Sequence, residues 1–185
     1  MPPLPKTTLR VVMKERRESL SKEAPEIAQD IIPSFFAHIP LSSDMILGAY
    51  WPIGSEVDTR PLLHALLDQN IVCGLPCVAR GEMIFRRWDL STSLVRKGGI
   101  LEPEPSSPPV TPMVLLVPLL AFDRRGHRLG YGKGHYDRYL HHTPVLTVGL
   151  GFQGQEVASI PQEPHDIPLD FILTEKGLFP KKSAE

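Results

Sequence analysis

Apolar residues along this chain recur at two periods, and segments of the two kinds alternate. Leu9, Val12, Met13 and Leu20 return at helical spacing, predicting an amphipathic helix from Thr8 to about Leu20, entered near Lys6 and capped by Thr7 or Thr8. Ile27, Ala28, Ile31, Ile32, Phe35 and Phe36 predict a second helix. Pro33 is expected to bend or break it, because proline has no N–H to donate. Met45 to Trp51 is a short apolar run that reads as a buried strand, ended by Pro52-Ile53-Gly54. Thr59 followed by Pro61 marks a helix start, and Leu62, Leu63, Leu66 and Leu67 carry its apolar stripe. Ile71–Val78 and Met83–Trp88 read as strands around the turn Arg80-Gly81-Glu82. Met113–Ala121 reads as the best-defined buried strand. A glycine-rich loop follows, then a short helix near His135–His142 and strands over Pro144–Gly151 and Phe171–Thr174.

Strands alternating with helices predict a mostly parallel sheet covered on both faces, hence a single three-layer α/β/α domain over residues 1–185. A chain of this length buries roughly 70% of the surface it exposes when unfolded, enough for a core without disulfide staples. The composition, 42% hydrophobic and 22% charged, is that of an ordinary globular protein and excludes general disorder. Proline is the exception, with 20 residues. Pro103, Pro105, Pro108, Pro109 and Pro112 cluster together and predict an extended connector over 102–112. No internal repeat is visible, and the pattern does not give the strand order.

The formal net charge of -1 removes the strongly basic balance of a general nucleic-acid binder. The longest apolar run, Met113–Phe122, is interrupted by Pro118 and is about half of what a membrane span needs. The start Met1-Pro2-Pro3-Leu4-Pro5-Lys6 lacks the apolar core of a signal peptide, and two cysteines are too few for a disulfide framework. A soluble, cytoplasmic, monomeric protein is expected, with no nucleic-acid or membrane partner. The even balance conceals local asymmetry. Residues 1–22 hold six basic and two acidic residues, 123–138 hold five and two, and 151–170 hold four acidic and none basic. Basic segments beside an acidic one suit a polyanion held together with a divalent metal.

The densest chemistry lies between Leu119 and Leu140, in a strand–loop–helix context. Gly130, Gly132 and Gly134 alternate there, freeing backbone N–H groups to converge on an anion near a helix N-terminus. Arg128 and Lys133 supply positive charge, and Asp137 lies one turn into the helix, where a magnesium ligand would face phosphates. The spacing is neither a Walker A loop nor a Rossmann fingerprint. A plain hinge would account for the glycines, though not for the cations, acid and aromatics around them. Glu56 and Asp58 follow the strand ending at Trp51. Asp58 and Thr59 read as helix caps, whereas Glu56 is left free for a ligand. Asp166 is a second candidate metal carboxylate or an exposed loop acid. Lys6 and Arg10 share a helix face and either reach a phosphate tail or are simply solvated. Cys73 and Cys77 are expected to face the core, and His135, His141 and His142 have no metal spacing.

The run Leu120-Ala121-Phe122-Asp123 through Arg128-Leu129-Gly130-Tyr131-Gly132-Lys133-Gly134-His135-Tyr136-Asp137-Arg138-Tyr139-Leu140 closely resembles the signature of the 5-formyltetrahydrofolate cyclo-ligase family. Lys6-x-x-Leu9-Arg10, Tyr50-Trp51-Pro52 with Glu56-Val57-Asp58-Thr59, Gly99 to Pro103, Gly149 to Phe152 and His165-Asp166 to Asp170 extend the resemblance over nearly the whole chain. The resemblance implies a fold similar to sugar-phosphate isomerases and CoA transferases. It implies a ligase that converts 5-formyltetrahydrofolate, with or without a polyglutamate tail, and MgATP to 5,10-methenyltetrahydrofolate, ADP and phosphate. It implies an ATP site formed by Lys6, Arg10, Arg128, Leu129, Gly130, Tyr131, Gly132, Lys133, Gly134, His135 and Tyr136. Within that set Lys133, Arg128 and Tyr136 carry catalysis. Trp51 and Glu56 are the implied folate contacts, and Asp137 and Asp166 the implied Mg2+ ligands. Two positions depart from the commoner pattern: Tyr131 stands where some relatives have a basic residue, and His135 where an aromatic is usual. The rival readings are a sugar-phosphate isomerase of the same fold and a non-catalytic RNA-binding domain.

Overall fold

Val114, Leu115, Leu116 and Val117 are all buried. Val114 and Leu116 face one apolar cluster, Leu115 and Val117 another, so this strand is covered on both sides. The computed structural model describes residues 4–182, so the first and last three positions of the expected domain, with the Met1-Pro2-Pro3 start, lie outside the described residues. In chain order the elements are α1 (Lys6–Glu23), α2 (Ile27–His38), β1 (Ile46–Gly48), α3 (Arg60–Asp68), β2 (Val72–Ala79) and β3 (Glu82–Trp88). They continue with β4 (Leu94–Lys97), β5 (Ile100–Pro103), β6 (Pro109–Val110), β7 (Val114–Pro118), β8 (Ala121–Phe122) and β9 (Arg128–Leu129). The last are α4 (His135–His142), β10 (Leu146–Leu150), β11 (Phe171–Thr174) and β12 (Gly177–Pro180).

Among the described residues the main sheet has eight strands in the order β12-β11-β10-β7-β1-β2-β3-β6. The run β11-β10-β7-β1-β2 is parallel, and β12, β3 and β6 are antiparallel. Ile31, Phe35, Leu62, Leu63 and Leu66 of α2 and α3 pack on Leu47, Leu75, Leu116, Val148 and Leu173. On the opposite face Tyr136, Tyr139 and Leu140 of α4 pack on Phe85, Leu115, Val117 and Ile172. The expected three-layer α/β/α architecture is therefore present. Helix α1 belongs to neither outer layer. Its Leu9 and Met13 pack on Leu120, Ala121, Leu129 and Ile160, beyond the carboxyl ends of the strands.

Several expected boundaries need correction. Helix α1 extends from Lys6 to Glu23 with Pro5 at its N-cap, so Thr7 and Thr8 lie inside its first turn and do not cap it. Helix α2 runs unbroken through Pro33, because the buried stripe Ile27-Ala28-Ile31-Phe35 outweighs one missing hydrogen bond. The strands expected over Met45–Trp51 and Met113–Ala121 shorten to three and five residues. The connector over 102–112 contains the end of β5 and all of β6. As an edge strand, β6 can hold Pro109.

Candidate active site

Strands β1 and β7 are neighbours, yet the chain leaves β1 toward β2 and β3 and leaves β7 toward β10 and β11. At such a switch of direction the carboxyl ends of the two strands diverge and form a crevice. The segment after β1, Tyr50 to Glu56, and the loop after β7 border this crevice, and α1 closes it from above. The resulting cleft has a volume of about 700 Å³. Its lining carries six Lys or Arg and six Asp or Glu side chains, so its formal charge is balanced.

One end gathers a glycine loop and cations whose chemistry suits an anion. Gly132 (φ +88) and Gly134 (φ +65) take left-handed conformations, and Gly134 is the N-cap of α4, whose first turn has no side-chain cap. Arg10 Nε donates to the carbonyl of Gly130 at 2.9 Å. Its guanidinium lies against Gly132, where an added Cβ would be 3.1 Å from Arg10 Cζ. Lys6 Nζ donates to Asp166 Oδ2 at 2.5 Å and to Glu163 Oε2 at 2.7 Å. Those two acids lift the Lys6 pKa despite partial burial. Although burial opposes it, the Lys6 ammonium and the Glu163 N–H hold the Asp166 carboxyl below the ordinary carboxylate range. Arg128 is buried, donating from Nη1 to the carbonyl of Ile167 (2.6 Å) and from Nη2 to Asp137 Oδ1 (2.7 Å). Lys133 is exposed and makes no hydrogen bond among the described residues.

Two of the expected ATP residues carry qualifications. Leu129 turns its side chain into the α1 cluster, and the Leu120 N–H takes its carbonyl at 2.7 Å. His135 Nδ1 pairs with Arg138 Nη2 at 3.0 Å. Burial, Arg138 and Lys133 hold its pKa below the ordinary histidine value. The two expected metal carboxylates do not form a closed pair. Asp166 groups with Glu163 and His165, whose ligand atoms lie within 4.8 Å of one another, whereas Asp137 is held by Arg128 and the Ile167 N–H.

The other end is largely apolar, although Glu102 also borders it, accepting the Val78 N–H. Trp51, Ile53, Pro76, Cys77, Met83, Ile100 and Leu101 line it. Trp51 meets Trp88 edge to face, with ring centroids 5.7 Å apart. Glu56 also lines the cleft, where Oε2 accepts the Ile53 N–H at 2.8 Å and Oε1 accepts no hydrogen bond among the described residues. Burial raises its pKa, opposed by the Ile53 N–H, Arg17 and Tyr131. Tyr136 also borders the cleft, and desolvation followed by the Glu56 charge pushes its phenol well above the ordinary value. Asp58 caps α3 through the Arg60 N–H at 3.0 Å, as expected. The Thr59 hydroxyl instead donates to the Tyr50 carbonyl, because Thr59 already has helical backbone angles. Cys73 faces the core, where burial pushes its thiol up to about 12, whereas Cys77 borders the cleft.

Arg17 is a site residue that motif reasoning passed over. It lies on the buried face of α1 with Leu9 and Met13. Its position, four residues after Met13 and seven after Arg10, carries the signal, because helical spacing turns all three the same way.

A glycine loop with cations and a wall of aromatic and aliphatic side chains border one cleft of an α/β protein, and their chemistry suits a phosphorylated ligand beside a flat apolar one. Comparison with known proteins agrees. Residues 4–175 match the profile of the 5-formyltetrahydrofolate cyclo-ligase family, and the chain belongs to that family of ligases. It is 31% identical over 189 aligned positions to the 5-formyltetrahydrofolate cyclo-ligase of Mycolicibacterium smegmatis, covering 95% of this chain and 96% of that one. The Escherichia coli K12 cyclo-ligase is 30% identical over 175 positions, covering 88% and 96%. The NMR structure of Aquifex aeolicus 5,10-methenyltetrahydrofolate synthetase superposes with a TM-score of 0.84 at 30% identity, covering 98% of this chain and 95% of that one. No helix of the described residues is long and apolar enough to cross a membrane.

Proposed function

We propose that this chain closes the ring of 5-formyltetrahydrofolate at the expense of ATP, giving 5,10-methenyltetrahydrofolate, ADP and phosphate. The observation that carries this reading is the two-ended cleft at the β1–β7 switch in a chain of this family. The formyl oxygen is a poor leaving group, so it first takes the γ-phosphoryl group of ATP and ADP departs. N10 then attacks the activated carbon, phosphate leaves, and N10 loses its proton as the ring closes. Neither step requires a covalent protein nucleophile, and positioning with charge neutralisation suffices.

In this reading Lys6, Arg10, Lys133 and the backbone of Leu129 to His135 hold the triphosphate, with Arg128 and Lys133 beside the transferred group. Trp51 takes the flat ring of the folate. Glu56 and Tyr136 face the junction where the reacting atoms meet. Asp137 and Asp166 offer hard oxygen donors, and among the described residues Asp137 Oδ2 and Asp166 Oδ1 accept no hydrogen bond. Mg2+ fits this donor type and, when bound, supplies neutralisation of the phosphate oxygens. A cytoplasmic monomer acting on folates with or without a polyglutamate tail goes with this reading. The balanced lining argues against an RNA groove, which rests on an excess of positive charge.

The test mixes purified protein, MgATP and 5-formyltetrahydrofolate and follows the near-ultraviolet band of the methenyl product against an ATP-free control. ATP-dependent growth of that band is expected. A folded protein that gives none overturns the assignment.

A further inference from the structure

Arg17 is 2% exposed on a helix face otherwise occupied by Leu9 and Met13. Its guanidinium joins three segments. Nε donates to Ser55 Oγ (3.1 Å) after β1, Nη1 to the Leu119 carbonyl (3.2 Å) after β7, and Nη2 to the Tyr131 hydroxyl in the glycine loop. The same guanidinium lies over the Tyr131 ring, 5.5 Å from its centroid. Its nearest carboxylate is Glu56, with Nη1 3.9 Å from Oε1, and both side chains are almost fully buried. A buried cation whose nearest carboxylate stands 3.9 Å away costs more than an apolar side chain would on this face. Packing alone therefore does not account for an arginine here.

We propose that Arg17 is a positioning residue: it clamps the glycine loop to the segment after β1 and sets the Tyr131 hydroxyl and the Glu56 carboxylate on the folate side of the cleft. The proposal rests on the cyclo-ligase reading and deepens it. It also gives Tyr131 a function. This chain brings positive charge to the loop from α1 and presents it behind a tyrosine hydroxyl. The groups facing Glu56 are Arg17 from α1, Tyr131 from the loop, Tyr136 from α4 and Tyr50 after β1, and Arg17 is the single cation among them.

The experiment measures kcat, the KM for each substrate and the pH profile of kcat/KM for 5-formyltetrahydrofolate in wild type, Tyr131→Phe, Arg17→Lys and Arg17→Met. Tyr131→Phe removes one hydroxyl from a half-exposed ring and is expected to fold. Its KM for the folate should rise about 3- to 10-fold, the value of one hydrogen bond, with the KM for MgATP unchanged. Arg17→Lys keeps the charge without the three-way fork, so kcat/KM for the folate should fall about 10- to 100-fold while the acid limb of the profile, set by Glu56, stays in place. Arg17→Met should move that limb to higher pH, because Glu56 loses its cation. A role confined to holding the fold would lower stability and leave the folate KM and the limb alone. If Tyr131→Phe keeps the wild-type folate KM and Arg17→Lys keeps the wild-type kcat/KM for the folate, the proposal is wrong although the cyclo-ligase reading stands. If the wild type does not turn over, both fall. Should Arg17→Met fail to fold, Tyr131→Phe and Arg17→Lys decide.

Discussion

Gly132→Ala separates the loop's chemistry from its contribution to stability. Two costs can be worked from the structure. The left-handed backbone (φ +88) disfavours an L side chain by about 1–2 kcal/mol. The added Cβ would meet no backbone, only Arg10, at 3.1 Å from Cζ and 3.2 Å from Nη2. A side chain that long can move by a few tenths of an ångström, so folding should lose little more than the backbone term. Moving the guanidinium, however, weakens its hydrogen bond to the Gly130 carbonyl, now 2.9 Å. Arg10 is also a proposed triphosphate contact, and a charged-donor bond to the nucleotide is worth about 1.5–3 kcal/mol, so displacing the guanidinium costs about tenfold in binding at the lower end of that range. Urea unfolding should therefore show a loss of about 1–2 kcal/mol. In the methenyl absorbance assay the KM for MgATP should rise about tenfold while the KM for the folate holds. An unchanged KM for MgATP in a stably folded variant would refute the placement of Arg10 and Gly132 against the nucleotide.

Lys133→Ala should leave stability within about 0.5 kcal/mol, because the side chain is exposed and unpaired among the described residues, yet lower kcat by about 10²- to 10³-fold. Asp137→Ala should abolish turnover and also destabilise, because it strips buried Arg128 of its carboxylate. Asp137→Asn retains an acceptor for Arg128 and should separate the two effects in paired kinetic and unfolding measurements. Gly126→Ala should cost at least about 2 kcal/mol in a denaturant titration, since its φ is +83 and the new Cβ would be 2.3 Å from the backbone oxygen of Leu169. Burial lifts the Glu56 carboxyl, so the acid limb of kcat/KM for the folate should lie above the ordinary glutamate value of about 4.3, and Glu56→Gln should remove it. The sign for stability is the reverse of a paired carboxylate. A raised folded-state pKa penalises folding at neutral pH, so Glu56→Gln should gain stability there and lose that gain as pH falls.

The parts of the fold that could be read from the chain are those whose burial is one-sided or complete. Helix α4 and strand β11 have the expected bounds because their apolar positions keep a single period. The β4–β5 hairpin escaped that reading because its strands are mostly half-buried or exposed and carry no clear alternation. Its signal is in the turn. Lys97 pairs with Ile100 around Gly98 (φ +57) and Gly99 (φ +86), the two-residue loop that needs positive φ at both positions. Strand β6 was hidden by its own proline, which only an edge position tolerates, and edge position is a property of the finished sheet. Pro33 in α2 fails as a breaker for the same kind of reason: the sheet beneath the helix holds it together.

The site divides along the same line. The glycine loop and Asp137 are close in sequence, so their spacing could be interpreted directly. What each side chain does in the folded protein depends on partners far along the chain. Lys6 finds Asp166 across 160 positions, and Arg17 finds Tyr131 across 114. No local pattern reports such pairings. A chemical inconsistency does report one of them: an arginine in register with Leu9 and Met13 stands on a face that ought to be apolar. Helix α1 could have buried that face with aliphatic side chains alone and packed at least as well. That it carries a guanidinium to the junction of two loops, beside a carboxylate whose charge it can hold, is a local break in pattern that tertiary structure converts into a function. The same reasoning makes Arg17 more informative than Arg10 or Lys6, since those lie at the edge of the cleft, where a basic residue needs no explanation.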